Sequence, residues 1–179
     1  MKLIYSIPNK LWYIHNFLDY TFYKDLHNSI IKERKFIELE SSKNIWQKPL
    51  ISNINSPDIT KSIRDYPPFE KLKILIQHNP YFKIKKSINY LNPMIYFWKK
   101  GTGINWHDDG IWKYGATYYI NHKWNKNWGG EFMFNDENNH GFLPVVGNSL
   151  VVVKAPFSHK VNPVISPTMP RITIQIFMR

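Results

Sequence analysis

The spacing of apolar positions changes character near residue 83. From 17 to 34, Phe17, Tyr20, Leu26, Ile30 and Ile31 recur at mixed three- and four-residue steps, which predicts an amphipathic helix with one packed face. The run "PFEKLKILIQHN", from 68 to 79, predicts a second helix with Pro68 suited to its first turn. The polar stretch between them, 41 to 66, carries Pro49 and Pro57 and predicts a long loop or lid. Beyond 83 the pattern shortens to strands: "KIKKSINYL", "MIYFWKK", "GATYYIN", "GEFMFN", "SLVVVKA" and "RITIQIFMR", separated by Gly, Pro and Asn turns. The last is the clearest, because Ile172, Ile174, Ile176 and Met178 alternate with Arg171, Thr173, Gln175 and Phe177.

Six or more short strands that close on themselves predict a mostly β fold with flanking helices, a sandwich or a double-sheet jelly roll. A chain of 179 residues buries one core, so a single domain is expected. Residues 1–82 read as its helical support and lid, and 83–179 as its β core. All eight glycines fall between 101 and 147, where tight turns concentrate. Gly129 and Gly130 predict a sharp turn that returns "EFMF" alongside "TYYIN".

Composition narrows the chemistry. With no cysteine, disulfides and thiolate metal sites are excluded, and a transition metal must be held by His, Asp or Glu. No apolar run reaches the length of a membrane span and the N-terminus lacks a signal-peptide pattern, so the expectation is a soluble, cytoplasmic protein. The net charge of +11 is concentrated in residues 1–100, which hold 17 Lys and Arg against 8 Asp and Glu. Such a positive field can attract nucleic acid or an acidic peptide, but a solvated lysine-rich surface is its commoner cause.

The stretch "GTGINWHDDG" places His107 and Asp109 two residues apart. On a strand such residues share a face, so both can offer a donor to one cation while Asp108 leans away. A third donor must come from elsewhere, and His159 in "FSHKVNPV" is the candidate. Two imidazoles and one carboxylate on one face of an octahedron leave open positions, as in non-haem Fe(II) oxygenases, although zinc also accepts such ligands. Arg171 opens the final strand with Thr173 on its face, and a guanidinium fixed inside a closed barrel calls for an anion such as a carboxylate.

Taken in order, "GTGINWHDDG", "TYYINHKWNKNWGGEFMF", "HKVNPV" and "RITIQIF" resemble the motifs of the Fe(II)/2-oxoglutarate-dependent dioxygenase superfamily, within it the prolyl 4-hydroxylase-like branch, over roughly residues 94–179. The resemblance implies a double-stranded β-helix (jelly-roll) core with N-terminal α-helices packed on one sheet. It implies iron ligands at His107, Asp109 and His159, and a 2-oxoglutarate grip by Arg171, with Tyr119 and Thr173 as hydroxyl partners. Fe(II), 2-oxoglutarate and O2 would then be required, with ascorbate as an auxiliary reductant. Phe97 stands where relatives often carry a tyrosine, flanked by Tyr96 and Trp98. The interval from His159 to Arg171, with three prolines, is longer than in many relatives.

By the same resemblance the substrate is expected to be a prolyl residue in a peptide or protein; Trp106, Trp112, Tyr114 and Trp124 could line its groove, although aromatics in such a stretch more often pack a core or a hairpin. A free amino acid or other small molecule is the alternative. A nucleic-acid demethylase is disfavoured, because Phe177 stands where such relatives carry a second arginine. Outside enzymes, a cupin-like jelly roll that binds a metal or a carbohydrate is the competing class.

Overall fold

The computed structural model describes residues 1–33, 39–41, 58–60, 67–82, 84, 88 and 91–179. Over these residues it is mostly β, with antiparallel sheets and two α-helices, of a jelly-roll-like kind. In chain order the elements are β1 (Lys2–Ile7), β2 (Leu11–His15), α1 (Tyr20–Glu33), β3 (Leu39–Ser41), β4 (Asp58–Thr60), α2 (Pro67–Gln77), β5 (Leu91–Trp98), β6 (Ile104–His107), β7 (Tyr114–Tyr119), β8 (Phe132–Asp136), β9 (Asn139–Leu143), β10 (Leu150–Lys154), β11 (His159–Val161) and β12 (Arg171–Met178). The large sheet runs β1-β2-β10-β7-β12-β5-β4-β3, and the small one β6-β11-β8-β9.

The alternation of β12 sorts two cores. Ile172, Ile174, Ile176 and Met178 join Ile95 and Phe97 of β5 in a cluster that also holds Tyr23, Leu26 and Ile30 of α1 and Phe69, Leu72 and Ile76 of α2. The opposite face turns toward the small sheet. There Leu11, Tyr13, Tyr119, Val151 and Val153 meet Phe132, Phe134 and Leu143, and Tyr96 and Trp98 meet Ile104, Val161 and Val164. Every residue of β7 is therefore buried, as in a sheet covered on both sides.

Several local expectations need correction. The first helix starts at Tyr20 rather than 17, because Asn148 takes the backbone donors of Phe17 and Leu18, and Asp19 caps the helix by accepting from Phe22 N at 2.9 Å. "EFMF" does not return alongside "TYYIN": β7 lies between β10 and β12 in the large sheet, whereas β8 lies between β11 and β9 in the small one. Gly129 and Gly130, at φ of 70° and 79°, mark a crossing between sheets. The N-terminal hairpin β1–β2 was not marked by any turn glycine, its corner being Asn9 at φ 58°. Of the expected loop 41–66, residues 58–60 are a strand paired with β5 and the remainder, Ser41 of β3 apart, lies outside the described residues, as does most of 83–90.

Asn148 ties the segment that leads into α1 to the large sheet. Its Oδ1 accepts from Leu18 N and from the Tyr118 hydroxyl, both at 2.9 Å, and its Nδ2 donates to Leu18 O. It also sits at φ 59°, a conformation asparagine and glycine tolerate. Asn148→Gly keeps the backbone and deletes the network, so urea unfolding followed by tryptophan fluorescence is expected to show a loss of roughly 2–4 kcal/mol.

Candidate metal and diacid site

His107 closes β6 and His159 opens β11, and the two are direct partners in the antiparallel ladder. Side chains of such a pair leave the same face, so the rings meet with centroids 4.3 Å apart. Asp109 reaches them by a route that strand alternation does not describe. The strand ends at His107, and Gly110 at φ 61° turns the chain, leaving the Asp109 Oδ1 3.7 Å from His159 Nε2. Asp108 points to solvent, where its Oδ1 accepts from Gly110 N at 2.8 Å. One donor atom from each of His107, Asp109 and His159 lies within 4.8 Å of the others, and no second trio of this kind occurs among the described residues.

Both imidazoles are oriented the same way. His107 Nδ1 lies 2.8 Å from Asn105 O, and His159 Nδ1 lies 2.8 Å from Phe157 O. A carbonyl can only accept, so each Nδ1 carries the proton and each Nε2 keeps its lone pair for the space between them. Phe132 stacks on the His159 ring at 5.0 Å and 17°. Burial pushes both imidazoles down to about 4, with His159 adding to the effect on His107. Burial pushes the Asp109 carboxyl up to about 6, against the pull of His107. Near neutral pH the trio is two neutral imidazoles and one carboxylate, a donor set that fits a divalent Fe(II) or Zn(II) ion.

The rungs of the large sheet order the rest of the cavity. Arg171 faces Trp98, Thr173 faces Tyr119 and Tyr96, Gln175 faces Thr117, and Phe177 faces Gly115 beside Asp109. The cavity is lined by Tyr96, Trp98, Thr117, Arg171 and Gln175 on one side and by His107 and His159 on the other. Arg171 is 0% exposed, and none of its three guanidinium nitrogens has a hydrogen-bond partner among the described residues. Burial lowers its pKa, a tendency opposed by Tyr119 and Glu131. The Tyr119 hydroxyl beside it is likewise buried without a hydrogen bond. A buried cation with free donors is costly unless an anion meets it, so the wall fits a carboxylate.

Several residues that hold this wall were not legible as such. Asn121 accepts from Ile172 N at 2.6 Å and donates to Pro170 O at 2.9 Å, clamping the backbone on either side of Arg171. Gly130 lets the chain pass Arg171, since a Cβ there would lie 2.8 Å from its Cδ. The long 162–170 connection is pinned by Gly101 N to Val164 O, Val164 N to Thr102 O and Ile165 N to Trp128 O. Tyr96 faces the cavity while Phe97 packs toward the helices. Of the four aromatics weighed between a substrate groove and core packing, Trp106 lines an opening beside His107. Tyr114 belongs to the helix-side core, Trp112 packs on Phe177, and Trp124 donates to Gly129 O.

Two outcomes follow from this geometry. A cation must displace the proton from Asp109 below about pH 6, whereas the imidazoles stay unprotonated to about pH 4. Mn(II) affinity, read by electron paramagnetic resonance, should thus be flat above pH 6 and fall about tenfold per pH unit beneath it. Separately, a Cβ at Gly115 would collide with Asp109 Oδ2. Gly115→Ala should lower Mn(II) affinity at least about tenfold with the circular dichroism spectrum retained.

A sequence model described as the 2OG-Fe(II) oxygenase superfamily matches residues 91–179. A search of curated proteins by sequence gives no match. Among solved structures, a prolyl-4-hydroxylase from Pseudomonas putida has TM-score 0.71 at 16% identity, covering 96% of this chain and 93% of that one. A prolyl hydroxylase from Trichoplax adhaerens, in complex with a hypoxia inducible factor oxygen degradation domain peptide fragment, has TM-score 0.74 at 15% identity over 96% and 84% of the two chains. A non-heme alpha ketoglutarate dependent epimerase from nogalamycin biosynthesis has TM-score 0.68 at 9% identity over 95% and 78%. At these identities the likeness speaks for the fold, and the matched sequence model and the ordered motifs speak for the lineage: the chain belongs to the 2OG-Fe(II) oxygenase superfamily.

Proposed function

We propose that this chain, as a single domain with α1 and α2 backing the large sheet, binds Fe(II) through His107, Asp109 and His159. It takes 2-oxoglutarate with the distal carboxylate on Arg171, Tyr119 and Thr173, and hydroxylates a C–H bond of a prolyl residue in a peptide or protein. The observation that carries the reading is a fully buried guanidinium with uncommitted donors in the same cavity as two neutral imidazoles. Fe(II), 2-oxoglutarate and O2 together supply the oxidant that converts C–H to C–OH, with 2-oxoglutarate leaving as succinate and CO2.

The chain's own contribution is placement. The Nδ1 bonds to Asn105 O and Phe157 O hold both imidazoles ready to bind metal without losing a proton. Arg171 sets the distance at which a diacid stops, and burial in the cavity excludes water from the reacting groups. Trp106, 43% exposed, and Phe157 line a depression of 480 Å³ that opens beside His107 and has room for a substrate side chain. A peptide substrate is favoured by the likeness to the Trichoplax adhaerens hydroxylase, whose structure holds a peptide. The epimerase shows a similar fold serving another reaction.

His107→Ala and His159→Ala are each expected to abolish succinate formation, followed by NMR, with the fold intact. Arg171→Ala should raise the half-saturating 2-oxoglutarate concentration by at least about tenfold; an unchanged requirement would remove Arg171 from the grip. Mass spectrometry of a proline-containing peptide library should show one added oxygen on proline, and oxygen found only on a free small molecule would shift the substrate class.

A further inference from the structure

We infer that Trp98 is a positioning residue for the diacid grip: its indole N–H holds the Thr173 oxygen as an acceptor and leaves the hydroxyl proton for the diacid, and its ring braces the Arg171 guanidinium. The inference rests on the reading just proposed for Arg171 and Thr173.

Trp98 ends β5 directly opposite Arg171 at the start of β12. From there its side chain reaches diagonally along the ladder, and Nε1 donates to Thr173 Oγ1 at 2.9 Å. An indole N–H can only donate, so the threonine oxygen must accept. That orientation leaves the hydroxyl proton pointing elsewhere, and it has no protein acceptor among the described residues. A threonine hydroxyl can otherwise bond a nearby backbone group, where its proton is lost to a ligand. Trp98 thus occupies one lone pair of Thr173 and leaves its proton to be given to an anion.

The same ring lies 4.7 Å from the Arg171 guanidinium carbon, with the Tyr119 ring at 4.9 Å. Aromatic faces attract a guanidinium without consuming its N–H groups, which stay available in the plane. Trp98 is 1% exposed and is itself fixed by Tyr96, Ile104, Val161 and Val164. One rigid side chain therefore aligns both donors of the Arg171–Thr173 pair, and a carboxylate that enters finds them preset. An apolar residue of equal volume would fill the core equally well and would leave Thr173 undirected.

The test is titration of Mn(II)-loaded protein with 2-oxoglutarate, backed by steady-state kinetics. If the wild type binds no 2-oxoglutarate, the proposed function falls and this inference falls with it. Given wild-type binding, Trp98→Phe keeps a ring against Arg171 and loses the N–H, and is expected to weaken 2-oxoglutarate about tenfold. Thr173→Val should weaken it by a similar factor, and the double variant by no more than either alone. Thr173→Ser should restore binding. Mn(II) affinity without diacid should not change, and KM for 2-oxoglutarate should rise while kcat at saturation holds, which a merely structural loss would not produce. Unchanged binding in Trp98→Phe, or additive losses in the double variant, would overturn the role of Trp98. Should Trp98→Phe fail to fold, Thr173→Val with wild-type affinity overturns it alone.

Discussion

A positive charge sealed away from water with its donors uncommitted is the constraint around which this molecule is arranged. Arg171 sits at the mid-sheet start of β12, where a guanidinium has no solvent and finds no hydrogen-bond partner among the described residues. Burying an ion in this state costs several kcal/mol, and the surrounding chain is built to hold it. Asn121 fixes the backbone before and after it, Gly130 leaves room for its stem, and two aromatic rings lie against its carbon. Such a residue is destabilising for the ligand-free fold and useful to a protein that binds anions, a trade found at functional sites.

The other end of the cavity follows the same logic with opposite chemistry. Two imidazoles are kept neutral by burial and by main-chain carbonyls that fix which nitrogen carries the proton. One carboxylate stands against them, seated over a glycine where any β-carbon would displace it. Each donor is set by backbone rather than by another flexible side chain. Membership of the 2OG-Fe(II) oxygenase superfamily gives this pairing a chemical context.

The parts legible in sequence are those that depend on short-range periodicity or on residue chemistry in order. His107, Asp109, His159 and Arg171 stand out as candidates because cysteine is absent and because Arg171 heads the polar face of a regularly alternating β12, a face whose burial alternation alone does not decide. What could not be read depends on which strands become neighbours. Gly129 and Gly130 have the signature of a hairpin, yet they carry the chain between sheets past Arg171. Tyr96 rather than Phe97 faces the cavity, which is a matter of strand phase relative to β12. The four aromatics near the ligands scatter into four environments, because the strand ends and turns that carry them face different parts of the fold.

The two ends of the site also belong to different layers. His107 and His159 are carried by the small sheet, with Asp109 just beyond β6, while Arg171, Thr173, Tyr119 and Trp98 all project from the large one. On the proposed reading a metal-bound diacid would become a strut joining both layers, its fixed length gauging their separation. Shorter or longer diacids would then be rejected by a mismatch in the whole sandwich and not by any single contact.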